Sequence, residues 1–428
     1  MRKCLIAPAL LAGVLLCGNG RVLGDTFLQG LAGSTGLQNE GNQGPSYRND
    51  RFYIGSDRAF IGQSYDWSGV GLSSGGSWAT MVSPTYFVSA NHDHPAPGQT
   101  VTFHLDDNPN GPTFIDTVAS WSYQTQDNGY GSDLYLGQLT APVPSSVATY
   151  PVLVLPSESE YSNMVMWTYG YPNRVGKNNI MCTSDVNMVS SGLGYTHVMY
   201  FNYNATGGQG FDEAYLESGD SGGPSFVIYN NSLALVGVHF LNSGSVYNLA
   251  LSADSFVPFY VNQLNANMSG GEQVTAVTPK PGDVNLDGAV NAADIDAIYA
   301  HFGASHTTQW KVVSDTNPVG QEDVAYLLQN ILHTNYGDAN LDGKISIDDF
   351  STLMAHWGQS GVGWAQGAFS GDGMAGIDDL SILSSNWGWS SGFHSMAMET
   401  PEPASLSLLV LGGLAMLGRR SRRRPSRA

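Results

Sequence analysis

The stretch Ser218-Gly219-Asp220-Ser221-Gly222-Gly223-Pro224 decides how this chain is read. Its glycines permit a tight loop with positive φ angles and let backbone N–H groups converge. Such a loop aims two N–H groups, those of Gly219 and Ser221, at one point. A carbonyl oxygen gaining charge there is stabilised, and loss of one such donor typically costs about 3–4 kcal/mol of barrier. Ser221 is then the candidate nucleophile. A serine hydroxyl is weak without a base, so a histidine has to reach it and a carboxylate has to orient that histidine.

Working outward, the base is expected at His92, which the run Thr80-Met81-Val82-Ser83-Pro84-Thr85-Tyr86-Phe87-Val88-Ser89-Ala90-Asn91 delivers to a loop end. His94 lies two residues on, beyond the end of that strand. The orienting carboxylate is expected at Asp133, at the mouth of the alternating run Leu134-Tyr135-Leu136-Gly137-Gln138-Leu139. Asp116 and Asp127 lack such a context. Around these residues, from about 51 to 268, short β-branched and aromatic runs such as Val101–Leu105, Met164–Tyr169 and Val198–Tyr203 alternate with Gly, Asn, Pro and Ser clusters. That pattern predicts an all-β sandwich or barrel. The region closes with Val257–Met268, where Phe259, Tyr260, Val261 and Leu264 are expected on one side of a short helix.

The order His, Asp, Ser and the words around them resemble the trypsin/chymotrypsin-like serine peptidases. Leu235-Val236-Gly237-Val238 resembles the strand lining that family's substrate cleft, and Tyr260-Val261-Asn262-Gln263-Leu264 its terminal helix. The resemblance covers about half the chain. It implies a double β-barrel with the site between the barrels, serine endopeptidase activity and a protein or peptide substrate. Asn91 stands where the family usually has Ala before the catalytic histidine, and no Ile-Val-Gly-Gly start marks a zymogen cleavage. Tyr215 takes the pocket-floor position where trypsin-like specificity needs Asp, so a small or apolar side chain is expected in place of Arg or Lys.

A further region, about 282 to 390, repeats itself. Asp283-Val284-Asn285-Leu286-Asp287-Gly288-Ala289-Val290-Asn291-Ala292-Ala293-Asp294 sets oxygens at positions 1, 3, 5, 9 and 12 with Gly at 6. Asp338, Asn340, Asp342, Lys344, Ser346 and Asp349 repeat that spacing, with Ala289 and Lys344 offering a backbone carbonyl at position 7. A hard cation takes six or more oxygens, and glycine allows the bend, so calcium is the expected cofactor. Apolar residues at offsets +1, +4 and +8 follow Asp294, Asp349 and Asp379, with Gly at +9, and Asp323 heads a copy lacking that Gly. The offsets predict helices with one apolar face. Loops two and four are degenerate. Around Asp315 and Asn317 the spacing of loop two is too short for the standard pattern, and Ala368 stands where loop four needs its first Asp. Two good calcium sites are expected. The repeats resemble dockerin type I modules, which implies a small α-helical calcium-loop domain and, less directly, a cohesin-like partner.

The ends read as addresses. Arg2 and Lys3 precede an apolar run from Cys4 to Leu16 and small residues, the layout of a secretory signal peptide over 1–24. Residues 25–50 read as a leader and 269–281 as a linker. Within 391–428, Pro401-Glu402-Pro403, the apolar stretch Leu406–Leu417 and Arg419-Arg420-Ser421-Arg422-Arg423-Arg424 resemble a PEP-CTERM sorting tail, which implies export to a bacterial surface and only transient membrane contact. Cys4 and Cys17 would leave with the signal, and Cys182 is then expected to have no partner. Of 17 Lys and Arg, three sit at the N-terminus and six in the last ten residues, so the body opposes only eight to 36 acidic residues. A body that acidic repels phosphate backbones and argues against nucleic acid as a partner. The expected whole is a multidomain chain, an all-β double barrel followed by a helical calcium-loop domain. The competing reading is a non-catalytic adhesion or scaffold protein that uses the same fold for display.

Overall fold

The computed structural model describes residues 27–28, 49–53, 59–203, 208–209, 212–246, 249–306 and 308–391. The expected signal peptide and sorting tail lie outside the described residues. A short first strand, β1 (Phe27–Leu28), pairs with β13 (Ala214–Tyr215). Six strands then form a closed antiparallel barrel: β2 (Val70–Ser73), β3 (Trp78–Met81), β4 (Tyr86–Ala90), β5 (Thr100–His104), β6 (Thr113–Asp127) and β7 (Tyr130–Leu139), ordered β2-β3-β4-β7-β6-β5. Strand alternation explains how one short run serves two cores. Phe87 joins Met81, Phe103 and Tyr135 in one apolar cluster. Tyr86, Val88 and Ala90, on the other face of β4, join Trp78, Leu134 and Leu136 in a core shared with the second sheet. That is why every residue of β3 and β4 is buried.

The second sheet has nine strands. Its main path runs β10 (Arg174–Asn179), β9 (Val165–Gly170), β14 (Pro224–Tyr229), β15 (Ser232–Val246), β16 (Leu249–Phe256), β12 (Gly194–Asn202) and β11 (Cys182–Met188), all antiparallel. The short strands β8 (Val152–Leu153) and β17 (Ala276–Val277) add on beside β15 in parallel. The expectation of two barrels therefore holds for the first sheet only. In the second, the hydrogen-bonded path does not return from β11 to β10 among the described residues. Trp167, Tyr169, Phe226 and Val238 of this sheet complete the shared core. The cleft between the sheets thus stands on a continuous apolar floor, where each fully buried large side chain contributes roughly 1.5–3 kcal/mol.

The closing helix, α1 (Val257–Asn267), buries Val257, Tyr260, Val261 and Leu264. Phe259, expected on that face, is instead 43% exposed, because it is out of phase with the 3.6-residue period. It stacks on His197 at 4.4 Å. Residues 269–281, expected as a linker, carry β17. Cys182 is disulfide-bonded, with its partner outside the described residues. Cys4 and Cys17, expected to leave with a signal peptide, lie outside the described residues. Among the described residues no helix is long and apolar enough to cross a membrane.

Beyond residue 282 the chain forms helices α2 (Ala292–Ala300), α3 (Gln321–Tyr326), α4 (Ile347–Ala355) and α5 (Ile377–Ser385) around one apolar cluster. Each helix is capped in the same way. The aspartate at its third position accepts the N–H of its N-cap residue at 2.8–2.9 Å: Asp294 from Asn291, Asp323 from Gly320, Asp349 from Ser346 and Asp379 from Gly376. This box satisfies backbone donors that a helix start leaves open. At +1 and +4, Ile295, Ile298, Val324, Leu327, Leu353 and Leu383 are buried as expected, whereas Phe350 and Leu380 at +1 are half-buried. Phe302 and Trp357 at +8 are 45% and 41% exposed, because α2 and α4 end before them. Gly303, Gly358 and Gly388 take φ of +85°, +79° and +77°, a conformation that favours glycine. After α3 a π-helical turn, Leu327–Ile331, adds a residue, and the positive φ falls on His333 at +53°. That insertion is why the second copy lacks its glycine.

Candidate active site

Strands β4 and β7 place the first two site residues. They pair Ala90 with Leu134, and the ladder runs on through the N–H of Asn91, which donates to the carbonyl of Asp133 at 2.7 Å. Only the backbone of Asn91 is needed for this bond, so the departure from Ala leaves it intact. His92 follows with its own N–H on Asp133 Oδ1 at 3.0 Å and its Nδ1 2.8 Å from Asp133 Oδ2. The N–H of Asp133 donates to Thr196 Oγ1 of β12 at 2.9 Å, which ties the carboxylate to the second sheet. Across the cleft, His92 Nε2 lies 2.8 Å from Ser221 Oγ. The expected base, orienter and nucleophile therefore meet in one hydrogen-bonded row. His94 does not: it stacks on Tyr135 at 3.8 Å with Nδ1 on the carbonyl of Pro95. Asp116 lies within β6, away from the row, and accepts the Thr140 hydroxyl and the N–H of Ala141.

Asp133 is fully buried and Ser221 is 7% exposed. Burial works against charge on the His92 imidazole. The Asp133 carboxylate, through charge and hydrogen bond, and the charge of Asp93 together more than offset it, and the pKa is raised above 6.5. Burial likewise pushes the Asp133 carboxyl up, and His92 pulls it part of the way back.

The nucleophile loop is held from all sides. Gly219 has φ +107° and Gly222 +81°. A Cβ on Gly223 would stand 2.6 Å from the Tyr169 carbonyl and 2.7 Å from His239 Cδ2, so only glycine fits. The Gly219 carbonyl accepts Trp78 Nε1 at 3.2 Å. Among the described residues, the N–H groups of Gly219 and Ser221 have no acceptor, which leaves both for an incoming oxygen. Asp220, fully buried, accepts the N–H groups of Tyr171 and Glu217, each at 2.8 Å. Tyr215 is half-buried, with its hydroxyl donating to Glu217 Oε1 at 3.2 Å. Phe240 flanks the site, its ring 6.0 Å from that of His92.

Sequence reasoning missed His239. Its N–H donates to the Gly223 carbonyl at 2.8 Å, and its own carbonyl accepts the N–H of Gly222 at 3.0 Å. Its ring sits between Asp254 Oδ1 at 2.9 Å and the Tyr169 carbonyl at 3.2 Å, with 1% exposure. It thus braces the Ser221 loop from behind. The available signal was a histidine in the strand Leu235–Phe240, where an apolar residue would be ordinary. A further buried histidine, His197, was also missed. It lies between Asp185 Oδ1 at 2.6 Å and Glu158 Oε2 at 3.1 Å, with Asp127 of the β6–β7 hairpin close by.

The two loops with oxygens at positions 1, 3, 5, 9 and 12 are held by backbone N–H groups on their own side chains. In loop 1, Asp283 Oδ2 accepts the N–H of Gly288, Asn285 Oδ1 that of Asp287, and Asp287 Oδ1 that of Ala289. Asp294 Oδ1 accepts the N–H groups of Val284 and Asn285. Loop 3 repeats this with Asp338, Asn340, Asp342 and Asp349. Asp283 is 4% exposed and its Oδ1 is buried without a partner. A buried, unpaired carboxylate oxygen inside a loop of further acids fits a hard cation. Burial raises the Asp283 and Asp338 carboxyls, as expected where no counter-charge is at hand.

Loop 2 corrects the sequence reading. Val312 and Val313 donate to Asp323 Oδ1 at 2.9 Å, as Val284 and Asn285 do to Asp294, so position 1 is Lys311 and the loop is one residue longer instead of too short. The Lys311 ammonium lies 2.9 Å from Asp323, 3.1 Å from Asp315 and 3.7 Å from Glu322, with its side chain 4% exposed. A resident cation has replaced the first ligand. In loop 4, Ala368 is buried at position 1, as expected.

No curated protein matches the chain in sequence. Residues 54–258 match the trypsin family model, and that stretch of the chain is a trypsin-like serine peptidase domain.

Proposed function

We propose that the protein is an exported serine endopeptidase whose tail of loop–helix repeats is stabilised by calcium. One observation carries the peptidase reading: His92 spans from Asp133 to Ser221 with 2.8 Å contacts on both ring nitrogens. Ser221 Oγ attacks the scissile carbonyl as its proton passes to His92 Nε2. The N–H groups of Gly219 and Ser221 receive the oxyanion, and Asp133 holds the imidazole and stabilises its charged form. His92 then gives the proton to the leaving amine. A water, deprotonated by the same nitrogen, hydrolyses the acyl-enzyme and restores the serine. The trypsin-like domain supports protein or peptide substrates, and Tyr215 argues against a basic side chain in the pocket.

Asp283, Asn285, Asp287, Asn291 and Asp294 would hold one calcium ion, and Asp338, Asn340, Asp342, Ser346 and Asp349 another, with carbonyls of Ala289 and Lys344. Bound calcium supplies positive charge that crosslinks the acids of each loop. Export and delivery to a bacterial surface rest on the two terminal segments, and a cohesin-like partner rests on the resemblance of the repeats.

Cleavage of a peptide library tests the peptidase reading. The wild-type chain is expected to cut it and Ser221→Ala to leave it intact. A folded wild-type chain that cuts nothing favours the display scaffold instead.

A further inference from the structure

The first calcium-type loop is built into the peptidase region. The chain leaving α1 is pinned there by Glu272, whose carboxylate accepts the hydroxyls of Ser83 at 2.6 Å and Thr85 at 2.8 Å and the N–H of Thr85 at 3.0 Å. Next, β17 pairs with β8, and Val277 packs on the core of the second sheet. Loop 1 follows at once. Leu286, its fourth residue, is 7% exposed and belongs to the same core as Leu153, Val227, Val236 and Phe256. Its carbonyl accepts the N–H of Asn230 at 2.8 Å. Asn230 and Asn231, with φ +49° and +56°, form the turn between β14 and β15. A Cβ on Gly288 would lie 3.0 Å from Asn230 Cγ, so loop and turn are in contact along this edge. From Asn230, β14 runs back to Pro224, the end of the nucleophile loop.

Leu286 holds a left-handed backbone, φ +62°, which a leucine adopts only at a cost. The same loop leaves Asp283 Oδ1 buried and unpartnered, in company with Asp287 and Asp294. A divalent cation on those carboxylates would hold this arrangement closed. Loop 3 gives the contrast. Its Leu341 has φ +56° but packs, half-buried, at the edge of the repeats' own core.

We propose that calcium in the loop Asp283–Asp294 acts as a clasp on the peptidase domain, holding Leu286 in its core and the β14–β15 turn in place. The proposal rests on the calcium reading above and adds to it that one of the two ions stabilises the peptidase and the other only the repeats.

The test uses the full chain, with calcium chloride against a chelator, and reads bound calcium by calorimetry and amide hydrogen exchange at Asn230. Calcium at a hundred times its Kd is expected to slow that exchange by up to ~100-fold. Asp338→Asn should lose one bound ion and keep the slowing. Leu286→Ala should keep both ions and lose most of the slowing. Should Leu286→Ala fail to fold, Asp287→Asn, which leaves the core untouched, should weaken loop 1 binding and lose the slowing with it. Two bound ions with unchanged exchange at Asn230 overturn the clasp and leave the calcium reading standing. A full chain that binds no calcium overturns both.

Discussion

The Ser221–His92–Asp133 row and the acid-rich loop Asp283–Asp294 both bury an aspartate, and they differ in where the opposing charge comes from. Asp133 meets an imidazole supplied by the chain itself, at 2.8 Å. Asp283 meets only backbone N–H groups, chiefly that of Gly288, and its Oδ1 has no hydrogen-bond partner among the described residues. The first site is complete in its own atoms, whereas the loop leaves a buried carboxylate oxygen without a counter-charge. Loop 2 stands between them: it has the loop fold, yet Lys311 furnishes the charge from within. Placement of opposing charge, more than backbone shape, separates a self-sufficient site from one that awaits a ligand.

The largest effects should come from breaking the self-sufficient side. Ser221→Ala is expected to lower kcat by about 10⁶-fold, and Asp133→Asn by about 10⁴-fold, magnitudes typical of triads of this type. Single-turnover assays on folded variants check both. In loop 2, Lys311→Met strands buried Asp323 without its ammonium. A loss of about 3 kcal/mol is expected, the low end for removing one partner of a buried ion pair, because three backbone N–H groups remain on Asp323. Denaturant titration measures it, and the number of bound calcium ions should stay unchanged. Chelation is expected to act less strongly per site, withdrawing about 2.7 kcal/mol relative to calcium at a hundred times its Kd. The melting temperature of the full chain should fall accordingly.

The pH response sharpens the same contrast. Attack needs neutral His92, and Asp133 holds the raised pKa above 6.5. The acid limb of kcat/KM should therefore have its midpoint above 6.5, with activity falling as pH falls through it. The contribution of His92 to stability runs the other way: its raised pKa makes that contribution fully present below 6.5 and lost as pH rises through the raised value. In Asp133→Asn the residual activity should show a midpoint shifted down.

Features with short-range causes could be read in the sequence. The glycine loop around Ser221 and the ligand spacings from Asp283 and Asp338 each lie within about a dozen residues, and turn chemistry fixes them locally. His92 and Asp133 could be read because strands flank them. His239 escaped because its partner, Asp254, lies on the neighbouring strand, and alternation alone does not announce a buried ion pair. Lys311 escaped because a one-residue insertion broke the spacing, and a lone lysine among acids reads as a surface charge. Leu286 escaped because the fourth loop position is no ligand, and its burial depends on a hairpin more than fifty residues earlier. The open path of the second sheet, likewise, is a property of strand order that no single segment encodes.

Reaction with a fluorophosphonate probe, followed by mass-spectrometric mapping of the modified residue, tests most directly whether the His92–Ser221 contact makes a working nucleophile. A single phosphonylated site at Ser221 is expected, with labelling abolished in Ser221→Ala and slowed severely in His92→Ala. A folded wild-type chain that stays unmodified, or that labels equally well without His92, would contradict it.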